Sequence, residues 1–231
     1  MVPARRAGAI VAALASLLMT ACGTSGMETE HVRDPTAVPA ETTLLPAPLG
    51  LGERDVDLRA GPVAAPITLQ VPAIGLDVEI LAVGISPNDV MDAPGGPADA
   101  RAWQQAFWYR GSAVPGQTST ALIAGHVNDP LGRDGVFARL EDLAPGDEIT
   151  VHDTRTGLDV RFAVTTTQTY TLTESAEPEV LRSMYGDGPV DGRWPVASDD
   201  GLAHLVLVTC AGSYRGTTHD HRLMVKAVRI P

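Results

Sequence analysis

A chain of 231 residues holds one ordinary domain with appendages, and it is long enough to bury a sizeable core. Acidic residues outnumber lysine and arginine by 28 to 17, a net charge of -11, which excludes the basic footprint that nucleic acid requires. Lys226 is the only lysine, a bias of composition that does not mark a binding surface.

The N-terminus has the form of an export signal. Arg5 and Arg6 precede a short apolar stretch from Ala7 to Leu18. A permanent membrane span needs about 20 apolar residues, more than this stretch supplies. It runs into Leu18-Met19-Thr20-Ala21-Cys22-Gly23, which resembles the lipobox of bacterial lipoproteins. That resemblance implies lipidation of Cys22 and anchorage at the extracellular face of the membrane. Met19 departs from the commoner leucine at its position, so ordinary cleavage or retention as a signal anchor stays open. In each version the chain is exported. Residues 1–22 are therefore expected as signal, 23–66 as a disordered tether rich in Pro, Ala and Thr, and 67–231 as the folded domain.

From Ile67 the pattern turns periodic. Ile67–Val71 and Leu76–Ile80 alternate apolar with polar or small residues, as half-buried strands do, with Pro72 and Gly75 between them. A Pro/Gly run at 93–97 precedes a short helical turn expected over 99–105. Phe107-Trp108-Tyr109 is the densest aromatic cluster in a chain only 4% aromatic, and a loop follows at 110–116. Thr120–Ala124 is a short apolar strand that ends in Gly125-His126. Phe137–Leu143 reads as one amphipathic turn of helix. Two strands, 148–152 and 160–164, flank the hairpin signal Asp153-Thr154-Arg155-Thr156-Gly157, and a third, Thr-rich one spans 165–173. A short helix over 177–184 leads to a long polar loop, 186–201. The strand Leu205–Thr209 then delivers Cys210 just before Ala211-Gly212. After a polar segment at 213–221, Arg222–Ile230 forms the last strand. About eight short strands with few helices fit a closed β-barrel.

Cys210 has two readings. It is the only cysteine outside the signal, and a lipidated Cys22 could not pair with it, so it stays a lone thiol in an oxidising compartment. A free cysteine is often just a small buried hydrophobe. The chemical reading needs a base and a cation nearby. His31 lies in the tether, and His152 sits beside a hairpin turn. His204 is six residues upstream on the same strand, about 20 Å away when extended. His219 and His221 flank Asp220, a spacing that invites metal but lacks further ligands. Asp129, Asp134 and Asp142 form no calcium loop and read as surface charge. His126 is the best partner, since its strand ends as the strand of Cys210 does.

Three segments together, Leu122-Ile123-Ala124-Gly125-His126, Leu207-Val208-Thr209-Cys210 and Arg222-Leu223-Met224-Val225, resemble the signatures of the sortases. Val71-Pro72-Ala73-Ile74-Gly75 and the spaced run Val136-Phe137 to Gly146-Asp147 extend the likeness over residues 67–231. The subgroup most resembled is the actinobacterial class F sortases, with class E next. The resemblance implies an eight-stranded barrel and cysteine transpeptidation. Cys210 attacks the threonine carbonyl of an LPxTG-like sorting signal, forming a thioester. His126 protonates the departing amine and deprotonates the incoming one. Arg222, twelve residues after Cys210 (222 − 210), steadies the substrate and the oxyanion, and Thr209 helps to line that site. Arg215 is nearer in sequence but falls in a loop. The acceptor is an amine, such as lipid II or a pilin-like lysine. No metal or cofactor is expected. A lipoprotein signal and a long loop before the cysteine strand depart from the family's habit.

Other readings compete with this one. L,D-transpeptidases place histidine and cysteine close together, whereas these two lie 84 residues apart (210 − 126). A surface lipoprotein with a partner-binding barrel and a buried Cys210 would need no chemistry at all. Accessibility of the thiol separates it from an enzyme.

Overall fold

The computed structural model describes residues 57–88, 90–186, 197–216 and 218–231. The signal, Cys22 and most of the tether fall outside the described residues, as does much of the loop expected at 186–201. Eight strands form a mainly β fold: β1 (Val63–Val71), β2 (Leu76–Val83), β3 (Ala106–Tyr109), β4 (Thr120–Gly125), β5 (Glu148–Asp153), β6 (Leu158–Thr171), β7 (His204–Tyr214) and β8 (His219–Ile230). Two short helices, α1 (Leu172–Ser175) and α2 (Pro178–Tyr185), join three 3-10 turns, at Pro72–Ile74, Arg101–Gln104 and Leu140–Asp142.

The strands close into a barrel in the order β1-β2-β3-β4-β7-β8-β6-β5. In β1 the alternation does what its period dictates: Ile67, Leu69 and Val71 point inward and are buried, while their neighbours are half-buried. Phe137, Ile149, Phe162, Leu205, Leu207 and Val225 complete the interior. Trp108 is buried there too and satisfies its indole by donating to the Ala113 carbonyl at 2.9 Å.

Three expectations change in detail. The aromatic cluster is itself strand β3, buried on both faces. The strands expected at 160–164 and 165–173 are one strand, β6, because a bulge between Val164 and Thr166 breaks its pairing with β8 and with it the alternation. Strand β1 begins at Val63, ahead of the boundary expected at 67. Leu58 is buried before it, and Gly84 has no room for a side chain because the Leu58 carbonyl lies against it.

A second apolar cluster lies on the outer side of the barrel. Leu58, Tyr109, Leu122, Met184, Val206 and Met224 bring α2 and the segment before β1 against β3, β4, β7 and β8. Burial, with the neighbouring Tyr185, pushes the Tyr109 hydroxyl up to about 12, so it stays neutral. This layer makes the floor of the site described next.

The β5–β6 turn shows how a buried acid is kept. Asp153 is fully buried and takes Arg155 on both oxygens, at 3.2 and 2.8 Å, with the Arg155 amide at 2.8 Å. The Arg155 side chain, against the cost of burial, holds this carboxyl below the usual carboxylate range. A depressed folded pKa stabilises above the unfolded value and stops doing so as pH falls through the folded one. Asp153→Asn is thus expected to cost about 1–3 kcal/mol at neutral pH. Urea unfolding should show that gap closing on acidification; a gap independent of pH would contradict the ion-pair account.

Candidate active site

Register brings the expected residues together. Cys210 on β7 stands directly opposite Arg222 on β8. Strands β4 and β7 run parallel, with Ala124 paired to Val208. Two residues further along each chain come His126 and Cys210, so the parallel pair delivers both to the same rim. All three line one cavity of about 450 Å³, together with Thr209 and an apolar wall that includes Phe107, Leu122, Met184 and Val208. Cys210 is half-buried and lines this space, unlike a core cysteine.

The His126 ring is held on three sides. Trp103 lies 4.4 Å away between ring centroids, tilted by 52°. Phe107 meets it edge-on at 5.4 Å. The Nε2 atom is 2.7 Å from the Pro94 carbonyl oxygen. A carbonyl only accepts, so Nε2 carries a proton and donates, and Nδ1 is left as the nitrogen that can gain or give one. Trp103 is itself pinned, its indole donating to the Pro97 carbonyl at 2.8 Å.

Arg222 is anchored by backbone. Its Nη1 donates to the carbonyls of His221 at 2.8 Å and His219 at 3.2 Å, and Nη2 reaches the Thr218 hydroxyl at 3.4 Å. On its other side β6 places Tyr170 opposite it. The guanidinium is thereby aimed while keeping donors for a ligand, since arginine carries five.

Thr209 is buried and its hydroxyl donates to the Gly125 carbonyl at 2.8 Å. With that proton committed, Thr209 acts as a strut between the strand ends that carry His126 and Cys210. Arg215 points elsewhere, to Asp220 at 3.0 Å. Asp220 also receives His221 at 2.6 Å, and these two partners, His221 foremost, hold its carboxyl at about 2.

His152, His204, Asp129 and Asp142 have local partners. His152 meets Asp159 at 2.6 Å, and His204 meets Asp200 at 3.0 Å. Asp129 caps its own loop through the amides of Leu131 and Arg133 at 2.8 and 2.9 Å, and Asp142 pairs with Arg139 at 3.0 Å. Among the described residues no three His, Cys, Asp or Glu side chains group as metal ligands.

Trp103 and Pro94 escaped the sequence reading. A Trp in a short turn and a Pro in a Pro/Gly run carry no periodic signal, and only the closed barrel brings them to His126.

A half-buried thiol facing an arginine, with an oriented imidazole on the same rim, suits nucleophilic attack on a carbonyl. Residues 69–230 match the family model described as the sortase domain. Among solved structures, the lid mutant of sortase A from Corynebacterium diphtheriae is similar at 19% identity and TM-score 0.48, covering 76% of this chain and 74% of that one. Sortase C-1 from Actinomyces oris is similar at 16% identity and TM-score 0.45, covering 71% of this chain and 73% of that one. The Clostridium perfringens sortase D5 transpeptidase is similar at 16% identity and TM-score 0.46, covering 71% and 78%. A comparison with curated proteins finds no match. The family model covers most of the chain, and its span contains His126, Cys210 and Arg222: the chain belongs to the sortase family of cysteine transpeptidases.

Proposed function

We propose that this chain is an exported sortase of class F type, with class E next. It cleaves an LPxTG-like sorting signal and passes the acyl fragment, the protein now ending in threonine, to an amine. The observation that carries this reading is the shared rim: Cys210 opposite Arg222 in register, and His126 at the end of the parallel neighbour.

The steps follow from what each group can hold. The Cys210 thiolate attacks the threonine carbonyl, and Arg222 meets the negative charge that develops on oxygen. The C–N bond then breaks, the amine leaves with the proton of His126 Nδ1, and a thioester remains. An incoming amine returns a proton to Nδ1, forms the new amide and releases the thiolate.

Lipidation of Cys22 would place the domain at the extracellular face of the membrane. Its substrates would be secreted proteins bearing the signal, and its acceptors lipid II or a pilin-like lysine. Incubation with a sorting-signal peptide library and each class of amine, read by mass spectrometry, tests this. Amide products with one acceptor class are expected. Hydrolysis alone, with every amine ignored, would make the protein a cysteine peptidase of the hydrolase type.

The loop after His126 offers a steric check. A Cβ on Gly135 would stand 2.4 Å from the His126 carbonyl oxygen and 3.0 Å from the Asn128 nitrogen, both backbone atoms that cannot yield cheaply. A misplacement of about 1 Å can cost about 10²-fold in rate, so Gly135→Ala is expected to lose that much transfer. Transfer rates and thermal melting together measure it. Wild-type transfer in a folded variant would mean that this loop does not set the position of His126.

A further inference from the structure

The pair His219 and His221 has no part in the chemistry above, and a metal does not account for it. His221 gives its Nδ1 to Asp220, and both ring nitrogens of His219 already face oxygens. What His219 touches is more informative. Its Nε2 lies 2.9 Å from Asn128 Oδ1, on the loop two residues past His126. Its Nδ1 lies 3.2 Å from the carbonyl of Gly212, two residues past Cys210. Its own carbonyl accepts from Arg222 at 3.2 Å.

One residue thus contacts the three segments that carry His126, Cys210 and Arg222. We propose that His219 is a positioning residue, a clasp that fixes the separation of the imidazole, the thiol and the guanidinium. The proposal rests on the transpeptidase reading for its purpose, but the clasp itself is a matter of geometry.

The surroundings fit that task. Asn128 Nδ2 donates to the Asp129 carbonyl at 3.2 Å, which turns Oδ1 toward His219. Asp129 is buried and caps its loop, so the Asn128 end of the clasp stands on a fixed base. At the other end Gly212 has a φ of +76°, and a Cβ there would lie 2.2 Å from Asp220 Oδ1 and 2.4 Å from His221 Nδ1. Only glycine lets the chain turn so tightly after Cys210. Tyr214 packs edge-on against the His219 ring at 5.4 Å and limits its rotation. Both hydrogen-bond partners are oxygens, so whichever nitrogen holds a proton donates, and a ring with both protons makes both bonds.

The test needs no sorting signal, which keeps it separate from the assignment of substrate. Iodoacetamide alkylation of Cys210, followed on its own peptide by mass spectrometry, is measured against pH in the full chain. The variants are His126→Ala, His219→Ala, His219→Gln, Asn128→Ala and the His219→Ala/Asn128→Ala double variant. The expected result is that His219→Ala and Asn128→Ala each shift the profile toward that of His126→Ala. Neutral-pH alkylation falls about tenfold in each, and the double variant falls no further. His219→Gln, which can still donate to Asn128, should recover part of the loss. Thermal melting follows folding, and if His219→Ala unfolds, Asn128→Ala carries the test with the ring still in place. An unchanged profile in Asn128→Ala and His219→Gln overturns the proposal. Losses that multiply in the double variant do the same, as does a profile indifferent to His126→Ala. Transpeptidation could survive any of these results, and a failure to find a substrate would leave the alkylation result standing.

Discussion

Replacing His126 by alanine is expected to slow both acylation and amine transfer by about 10²–10⁴-fold, the usual worth of a positioned acid–base group. The expectation rests on how the ring is held. The Pro94 carbonyl takes the Nε2 proton, and Trp103 and Phe107 confine the ring plane, so Nδ1 is the one nitrogen available to a departing or arriving amine. Alanine removes that nitrogen without disturbing the pairing of β4 with β7, which ends at Ala124 and Val208. Single-turnover kinetics separate the two steps, and both should fall, because the same proton moves out and back. A loss in one step only would mean that another group serves the other. A loss of less than about tenfold would take the proton role away from His126 altogether.

Arg222→Lys is the second large effect, and it tests geometry with charge held constant. The guanidinium makes three bonds that aim it: two from Nη1 to the His219 and His221 carbonyls, and one from Nη2 to Thr218. A lysine ammonium has three donors on a flexible stem and no planar fork, so it cannot hold those carbonyls and face the oxyanion together. A fall of about 10²–10³-fold in kcat/KM is expected, the range for loss of one oxyanion donor. Melting should change little, because the flanking Leu223, Met224 and Val225 keep β8 in the core. Arg222→Ala should be slower still. A lysine variant with wild-type kcat/KM would reduce Arg222 to a bare charge and leave its anchoring without purpose.

The legible and illegible parts of this protein divide along a physical line. Strand period is local, and Thr120–Ala124 and Leu205–Thr209 could be read as strands from their apolar runs. The candidate site residues followed from the small and polar residues that close those apolar runs and from the family resemblance, although β7 runs on past Cys210 to Tyr214 and β8 begins at His219, ahead of Arg222. Pairing is not local. Nothing in the sequence of β4 states that it lies parallel to β7, yet that single pairing brings His126 beside Cys210. The bulge near Thr165 hid the unity of β6 for a related reason, since one extra residue breaks the alternation that period-reading depends on. Side-chain supports were the least visible. Pro94, Trp103 and Asn128 act through a carbonyl, a ring face and an amide, and none of these leaves a pattern in the sequence. His219 was noticed for its spacing to His221, and that spacing suggested metal; its actual partners lie 91 and 7 residues away.

The most direct measurement is intact-mass spectrometry of the protein incubated with LPxTG-type peptides in the absence of an amine. The account predicts a thioester adduct that maps to Cys210, disappears in Cys210→Ala, and is released as an amide when an amine is added. An adduct on any other residue, or peptide cleavage that persists in Cys210→Ala, would contradict it.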